Sequence, residues 1–399
     1  MSAADALTGR NVWLGIGKQA AFGTAIAPTK FFEVTDIGGL MPEYDWKKSD
    51  RRVGTRFKAL GSKSNKKIPI SFTVEANAEN LPLLLMLGMG ANTVAADGAA
   101  YKHSFTLAEN LPYFTAWVQT DSVADNVSDD TVHQIVNCKV VSMKIDAVID
   151  DVIKVAIEAI GTDRNYCYKS KADITATVTN LDATVLIAST AGLVVGASVS
   201  GTGVPVGATI ASIVEDTSFE LSEAATGDGT AVTIAAPTPT FPTSRSLGVK
   251  AEEGQSKLEL GANTGALAQF DEAQEFHITI TNGVVADMRI DNTTTAAALR
   301  EGDSEITGNA KVVYNRNSYV EIEAFQAGSA RAIRFTATSE EEAATGKPYL
   351  MVITFDSARY SGAPTSWDPD VISADLQFEV AKTTSYPLIE ITNATSGTY

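Results

Sequence analysis

Apolar residues recur at every second position over much of this chain, and that period constrains its fold more than any other feature. Ile68-Pro69-Ile70-Ser71-Phe72-Thr73-Val74, Tyr113-Phe114-Thr115-Ala116-Trp117-Val118, Val141-Ser142-Met143-Lys144-Ile145-Asp146 and Asp375-Leu376-Gln377-Phe378-Glu379-Val380 each place apolar side chains on one face of an extended strand. Helical signals are few. Residues 77–87 closed by Gly88 form one, a capping box of Ser318 with Glu321 opens a second, and Ser339 with Glu342 opens a short turn. The expected class is therefore mainly β with short flanking helices. A length of 399 residues allows two or three domains, and 44% hydrophobic against 20% charged residues excludes a disordered chain.

Composition changes abruptly over residues 175–236, which hold no Lys or Arg, six acids and a single aromatic, Phe219. Short strands separated by glycine turns, Gly201 with Gly203 and Gly227 with Gly229, suit a small all-β module of immunoglobulin-like type. Pro237, Pro239 and Pro242 stiffen its exit. The flanks of this module echo each other in constant order. Phe32-Glu33-Val34-Thr35 is answered by Phe276-His277-Ile278-Thr279, and the helix candidates ending at Gly88 and Gly328 follow. Phe105 and Tyr113 then match Phe335 and Tyr349, 141–145 matches 372–376, and Ile157-Glu158 matches Ile389-Glu390. Duplication predicts two tandem β domains, 1–168 and 243–399, around an inserted module at 169–242.

The residues offer little chemistry. His103, His133 and His277 are isolated and carry no metal-ligand spacing, no Gly-x-Ser-x-Gly elbow occurs, and Gly201-Thr202-Gly203 lacks the lysine of a phosphate loop. No enzyme, metal or cofactor is expected. Asp121, Asp125, Asp129 and Asp130 lack the glycine and glutamate of a calcium loop and read as solvated. Cys138 and Cys167 read as reduced core or near-surface thiols and not as a redox pair, since no signal-like segment opens the chain and a cytosolic origin is expected. The apolar stretch 81–89 is about half the roughly 20 residues of a membrane span. A net charge of −17 argues against a nucleic-acid clamp. Against that charge, residues 43–67 carry nine basic groups (Lys47, Lys48, Arg51, Arg52, Arg56, Lys58, Lys63, Lys66 and Lys67) and three acids, or 9 − 3 = +6. Such an arm suits an acidic surface on a neighbouring copy, because opposite potentials favour one register.

The opening Gly15-Ile16-Gly17-Lys18-Gln19-Ala20-Ala21-Phe22-Gly23-Thr24-Ala25, then Phe31-Phe32-Glu33-Val34 and the basic loop, resembles the start of a tail tube protein of long-tailed bacteriophages. The strands at 138–161 and the closing segment 386–393 extend the resemblance over both flanks, and the segment Gly192 to Thr233, with Val199 to Gly207 within it, resembles small β modules appended to phage surface proteins. The resemblance implies β-sandwich or half-barrel domains that assemble with other tail proteins into stacked rings around DNA, which passes without specific binding. Its expected location is the virion tail, with synthesis and assembly in the host cytoplasm. If a ring needs six similar domains and each chain supplies two, a homotrimer with pseudo-sixfold symmetry follows; a homohexamer is the alternative. Lys47, Lys48, Arg51, Arg52, Arg56, Lys58 and Lys63 are then the expected contact between rings or subunits. Asp146, Glu158, Asp375, Glu379 and Glu390, opposite the apolar strand faces, are the expected lumen-facing acids, repelling phosphate. The module is expected to project outward and to be dispensable for assembly. A fibre-like, glycan-binding β protein at the cell surface is the other reading.

Overall fold

A computed structural model describes residues 7–47, 62–122, 131–241, 247–249, 255–289, 293–383 and 386–397. The first flank contributes β1 (Leu7–Lys18), β2 (Lys30–Gly39), β3 (Glu43–Lys47), β4 (Ser62–Glu75), α1 (Leu81–Met89), β5 (Gly90–Asp97), β6 (Ala100–Leu107), β7 (Phe114–Ser122), β8 (Thr131–Val148), β9 (Asp151–Val152), β10 (Lys154–Gly161) and β11 (Asp163–Cys167). The module supplies β12 (Ser170–Val178), β13 (Thr184–Ile187), β14 (Ser198–Gly201), β15 (Ile210–Val214), β16 (Ser218–Leu221) and β17 (Gly229–Ala235). The second flank adds β18 (Gly248–Val249), β19 (Ser256–Gly261), β20 (Ala268–Gln269), β21 (Ala273–Thr281), β22 (Val285–Asp287), β23 (Ala298–Arg300), β24 (Glu305–Val313), α2 (Arg316–Gln326), β25 (Ala330–Ala344), β26 (Lys347–Gly362), β27 (Thr365–Trp367), β28 (Ile372–Val380) and β29 (Leu388–Asn393). The protein is mainly β, as the alternation predicts.

The flanks repeat one pairing scheme. In the first, β1 pairs with β7, β7 with β8, β8 with β10 and β11, β10 with β4, and β4 with β2. In the second, β19 pairs with β25, β25 with β26, β26 with β28 and β29, β28 with β24, and β24 with β21. Register slips coincide too. The slip between Phe114 and Ala116 recurs between Arg331 and Ile333, and the one between Val34 and Asp36 recurs between Ala273 and Glu275. A third, at Glu158 and Ala159 against β8, recurs at Tyr360 and Gly362 against β28. Bulges re-aim strands, so their coincidence fixes residue equivalences. Ile37, and not Phe32, corresponds to Phe276. After the helices β7, β8, β10 and β11 correspond to β25, β26, β28 and β29, one strand later than the sequence echo suggests. The displaced element is the hairpin β5–β6, which the second flank lacks.

The strands form two layers around one core. A spanning layer runs β2–β4–β10–β8–β21–β24–β28–β27 through both flanks, because β8 pairs with β21 and β27 pairs with β28. A second layer holds β1, β7, β11 and the start of β8, and equivalently β19, β25, β29 and the start of β26; β6 extends it by pairing with β29. The core between the layers includes Leu14, Phe72, Ile145, Ile157, Phe276, Phe335, Phe355 and Phe378.

The helix starts differ from the sequence reading in opposite directions, α1 beginning later than Asn77 and α2 earlier than Ser318. Residues 77–80 form a turn, and α1 begins at Leu81 with Pro82 in its first turn, where proline's missing N–H costs nothing. Gly90, at φ 90°, closes it and not Gly88. Almost every α1 residue is buried, as in a helix apolar on all sides. The α2 cap is Asn315, whose side chain accepts from the Asn317 and Ser318 amides while Ser318 Oγ accepts from the Asn315 amide. Glu321 is buried in a pair with Arg331 and accepts the Tyr360 hydroxyl at 2.8 Å. Residues 339–342 belong to β25 and form no turn.

The module folds into a separate six-stranded sheet in the order β14–β17–β12–β13–β16–β15. It curls until its two end strands approach at the Ser198–Thr209 bridge.

Candidate functional site

One face of the spanning layer packs on the core and the other is polar. Alternation along β10, β8, β21, β24 and β28 sends Ile157, Ile145, Ile278, Ala310 and Leu376 inward, and Glu158, Asp146, His277, Asn309 and Asp375 outward. Four of the five acids singled out above, Asp146, Glu158, Asp375 and Glu379, therefore share one continuous face. Glu158 and Glu379 are exposed, and Asp146 and Asp375 partly so. Glu390 does not join them. It lies in the second layer, paired with Lys102 at 2.6 Å and accepting from Ser104 Oγ at 3.3 Å. Alternation tells which side of a strand a residue occupies, not to which of two layers the strand belongs.

Ion pairs knit the polar face across the joint of the two flanks. His277 on β21 lies opposite Asp146 on β8, with Nδ1 at 2.6 Å from Asp146 Oδ1 and Nε2 at 3.1 Å from Glu275 Oε2. Lys144 reaches Asp146 at 2.9 Å and Lys311 reaches Glu275 at 3.0 Å. The hydrogen bond to Asp146 raises the His277 pKa above the usual histidine range against partial burial. Burial alone would raise the Asp146 pKa, but hydrogen bonds from His277 and Lys144 outweigh it and the net shift is downward. Glu275 is lowered by Lys311 first and His277 second. The isolated position of His277 in the sequence gave no sign of this role. The other histidines are also engaged: His103 Nε2 lies 3.0 Å from Asn393 Oδ1, and burial together with Arg164 lowers His133 to about 4. Among the described residues, no group of three or more His, Cys, Asp or Glu is placed to hold a metal, and no helix is long and apolar enough to cross a membrane.

The second flank also reaches onto the first through the segment containing β22 and β23. The Tyr113 hydroxyl donates to Leu299 O at 3.0 Å, Lys139 pairs with Glu301, and the Leu111 amide donates to Glu301 at 2.8 Å. Val284, Ala296 and Leu299 pack with Leu111 in a small apolar cluster. The first flank's counterpart of this segment is the basic stretch. Of its residues, Lys63 sits 4.6 Å over the Tyr44 ring, Lys66 pairs with Asp163 and Lys67 with Glu43. Lys47 ends β3, while Lys48, Arg51, Arg52, Arg56 and Lys58 lie outside the described residues.

The module has a built seat. Trp13, Phe31, Trp117, Val132 and Cys167, on the far face of the first flank's second layer, form one buried cluster with Val185, Val199, Phe219 and Ile234 of the module. Gln134 Nε2 donates to Val195 O at 2.6 Å. Gly196, at φ +89°, comes so near the chain that a Cβ would stand 2.6 Å from the Ala27 nitrogen. The sequence held a signal for this seat: Trp13-Leu14, Phe31-Phe32 and Ala116-Trp117-Val118 are apolar on consecutive residues, so both strand faces are covered.

A phage tail tube protein family model matches residues 9–222, more than half the chain. The chain belongs to the phage tail tube protein family. That assignment makes it a structural protein of the virion tail. No curated protein sequence gives a significant match. Among solved structures, the SPP1 tail tube, determined by solid-state NMR and electron cryomicroscopy, is similar at 15% identity and a TM-score of 0.26, covering 36% of this chain and 80% of its own. In this tail tube protein the family match spans the first flank and most of the module, while the second flank repeats the pairing scheme beyond it.

Proposed function

We propose that this tail tube protein closes rings that stack into the tube through which DNA passes, with residues 1–168 and 243–399 as two ring-building units and 169–242 as a module on the wall. The β8–β21 joint carries the reading: two like units already stand side by side, sharing one sheet by strand addition. Two units per chain and six per ring give a homotrimer with pseudo-sixfold symmetry. The polar face with Asp146, Glu158, Asp375 and Glu379 lines the lumen, where carboxylates keep phosphate from sticking and Lys144 and Lys311 temper the field. Lys47, Lys48, Arg51, Arg52, Arg56, Lys58 and Lys63 contact a neighbouring subunit or ring; the docking of their counterpart segment onto the first flank supports this. Other tail proteins cap the assembly, which forms in the host cytoplasm.

Electron microscopy of the concentrated protein tests the stoichiometry. Three module-sized projections per ring are expected, and six would establish the hexamer instead. Replacing Lys47, Lys48, Arg51 and Arg52 with Glu should block elongation while leaving the fold intact, and normal tubes from that variant would exclude the basic contact.

A further inference from the structure

Asn282-Gly283 is the one Asn-Gly pair in the sequence. The Asn282 residue is 1% exposed and engaged at both side-chain atoms: Nδ2 donates to Gly88 O at 3.0 Å and to Val140 O at 3.2 Å, and Oδ1 accepts from Ser304 Oγ at 3.4 Å. The first of these bonds finishes a helix. Among the last carbonyls of α1, Met86 O accepts from Gly90 and Met89 O from Ala108, while Gly88 O is satisfied by this side chain of the second flank. The main chain is held at the same spot, since the Asn282 amide donates to Val141 O at 2.8 Å and its carbonyl accepts from Gly302 at 3.3 Å, at the root of the β22–β23 segment. Gly283 is equally fixed: its φ is +56°, and a Cβ there would stand 3.1 Å from Asp303 O. A primary amide is needed to donate to two carbonyls at once, and a glycine to make the turn, so the chain keeps a dipeptide with a chemical weakness.

Glycine has no side chain to shield its amide, so in an open Asn-Gly pair that nitrogen, on giving its proton to base, reaches the carboxamide carbon. We infer that Asn282 is a deamidation site guarded by the fold, inert while the β22–β23 segment is docked and converted when that segment lifts. Gly283 N bonds to Asn282 Cγ, the Cγ–Nδ2 bond breaks, and Nδ2 takes up a proton and leaves as ammonia. Water then adds to either carbonyl of the five-membered imide, and the ring C–N bond opens to aspartate or isoaspartate. In the docked state three hydrogen bonds pin the carboxamide away from water. The guard is light. β22 and β23 are three residues each, and the segment docks through a four-residue apolar cluster, the Tyr113 hydroxyl and the Lys139–Glu301 pair. A segment with so few buried contacts is among the first parts of a fold to open. Conversion prevents its return. An aspartate carboxylate would face the Gly88 and Val140 carbonyl oxygens with no proton to offer, and isoaspartate lengthens the main chain by one carbon at the root of the segment. Either product leaves the last turn of α1 without its partner.

The test incubates the full-length protein at mildly alkaline pH, folded or in urea, and follows conversion at residue 282 by peptide mass mapping. Asn282 should convert in urea ahead of every other asparagine, and about tenfold or more slowly in the folded protein. Tyr113→Phe removes the hydroxyl that donates to Leu299 O and accepts from the Leu299 amide. It should speed conversion in the folded protein about threefold or more and leave the rate in urea unchanged. Equal rates in the folded and urea-unfolded protein would overturn the guard, and an intact Asn282 in urea would overturn the site. A folded-state rate that Tyr113→Phe does not change would show that the β22–β23 segment is not what protects it. Asn282→Asp imitates one product: the Leu111 and Leu299 amides, which bond across the docked segment, should lose hydrogen-exchange protection about tenfold. Protection equal to that of the unaltered protein would overturn the claim that conversion keeps the segment open.

Discussion

Two equivalent faces of this protein carry opposite chemistry. On the second layer of the first flank stand Trp13, Phe31, Trp117, Val132 and Cys167, all buried beneath the module. Pairing register places Lys257, Gln269, Arg334, Val352 and Glu390 at the same positions in the second flank, where Lys257, Arg334, Val352 and Glu390 line an open hollow. Backbone pairing and the inward-facing core are common to both flanks, so neither explains the difference. What differs is the cover. A duplicated scaffold keeps its alternating core, and each copy's remaining face follows whatever packs against it.

The most severe way to break this comparison is to remove the cover. A module borne on a linker would be dispensable, but a module with a five-residue apolar seat is part of the fold. Deleting residues 169–242 exposes side chains whose burial is worth about 1.5–3 kcal/mol each for the larger ones. The expected outcome is loss of soluble protein on expression. Adding Trp13→Lys, Phe31→Gln, Trp117→Arg and Cys167→Glu, which transplants the second flank's chemistry, should recover soluble protein. A soluble deletion without these changes would show that the seat is not needed.

The helices differ for the same reason. The hairpin β5–β6 packs on α1, which can therefore be apolar all round; α2 has no such hairpin and exposes Tyr319 and Val320. Where the first flank places Phe114 and Val140, the second places Arg331 and Tyr360, both bound to Glu321. Arg331→Ala leaves the buried carboxylate uncompensated and should cost about 3–5 kcal/mol in urea unfolding. Arg331→Phe combined with Glu321→Leu, in imitation of the first flank, should restore most of that. Equal losses in the single and double variants would refute the equivalence.

A paired test of one equivalent position sets a large effect on one face against a small one on the other. Trp117 is fully buried and its Nε1 donates to Ile26 O at 2.9 Å, whereas Arg334 is its open-face counterpart. Trp117→Ala should destabilise by about 3–5 kcal/mol and Arg334→Ala by no more than about 0.5. Similar shifts in the two melting curves would mean that the faces are not functionally distinct.

Much of this was legible in the sequence, and the rest was hidden for definite reasons. Alternation reveals strands because it records a solvent side and a core side, and it placed Asp146, Glu158, Asp375 and Glu379 on polar faces. It could not assign Glu390 to the second layer, since the same pattern occurs in both layers. The duplication was visible in the order of its elements, but its register was not, because successive alternating strands resemble one another and β5–β6 shifts the count by one. The helix starts were misplaced because Asn77 resembles a cap although α1 opens at Leu81 with Pro82 in its first turn, and because Ser318 resembles a cap although it is the third helical residue of a box capped by Asn315. The β8–β21 joint leaves no local trace: His277 and Asp146 are far apart in the chain and meet only through sheet pairing.

That joint supplies the smallest expected effect. The His277 pKa is raised in the folded state, so its stabilising contribution is complete below the unfolded histidine value and is lost as pH rises through the folded one. Those of Asp146 and Glu275 are lowered, so their contribution is present above the ordinary carboxylate range and lost as pH falls through their folded values. The internal joint should accordingly be tightest in the mildly acidic window between those limits. His277→Gln should therefore remove at most about 1 kcal/mol near pH 6 and progressively less toward pH 9, read as melting temperature against pH. A loss of stability that stays constant from pH 6 to pH 9 would mean that His277 contributes packing at the joint and not its proton.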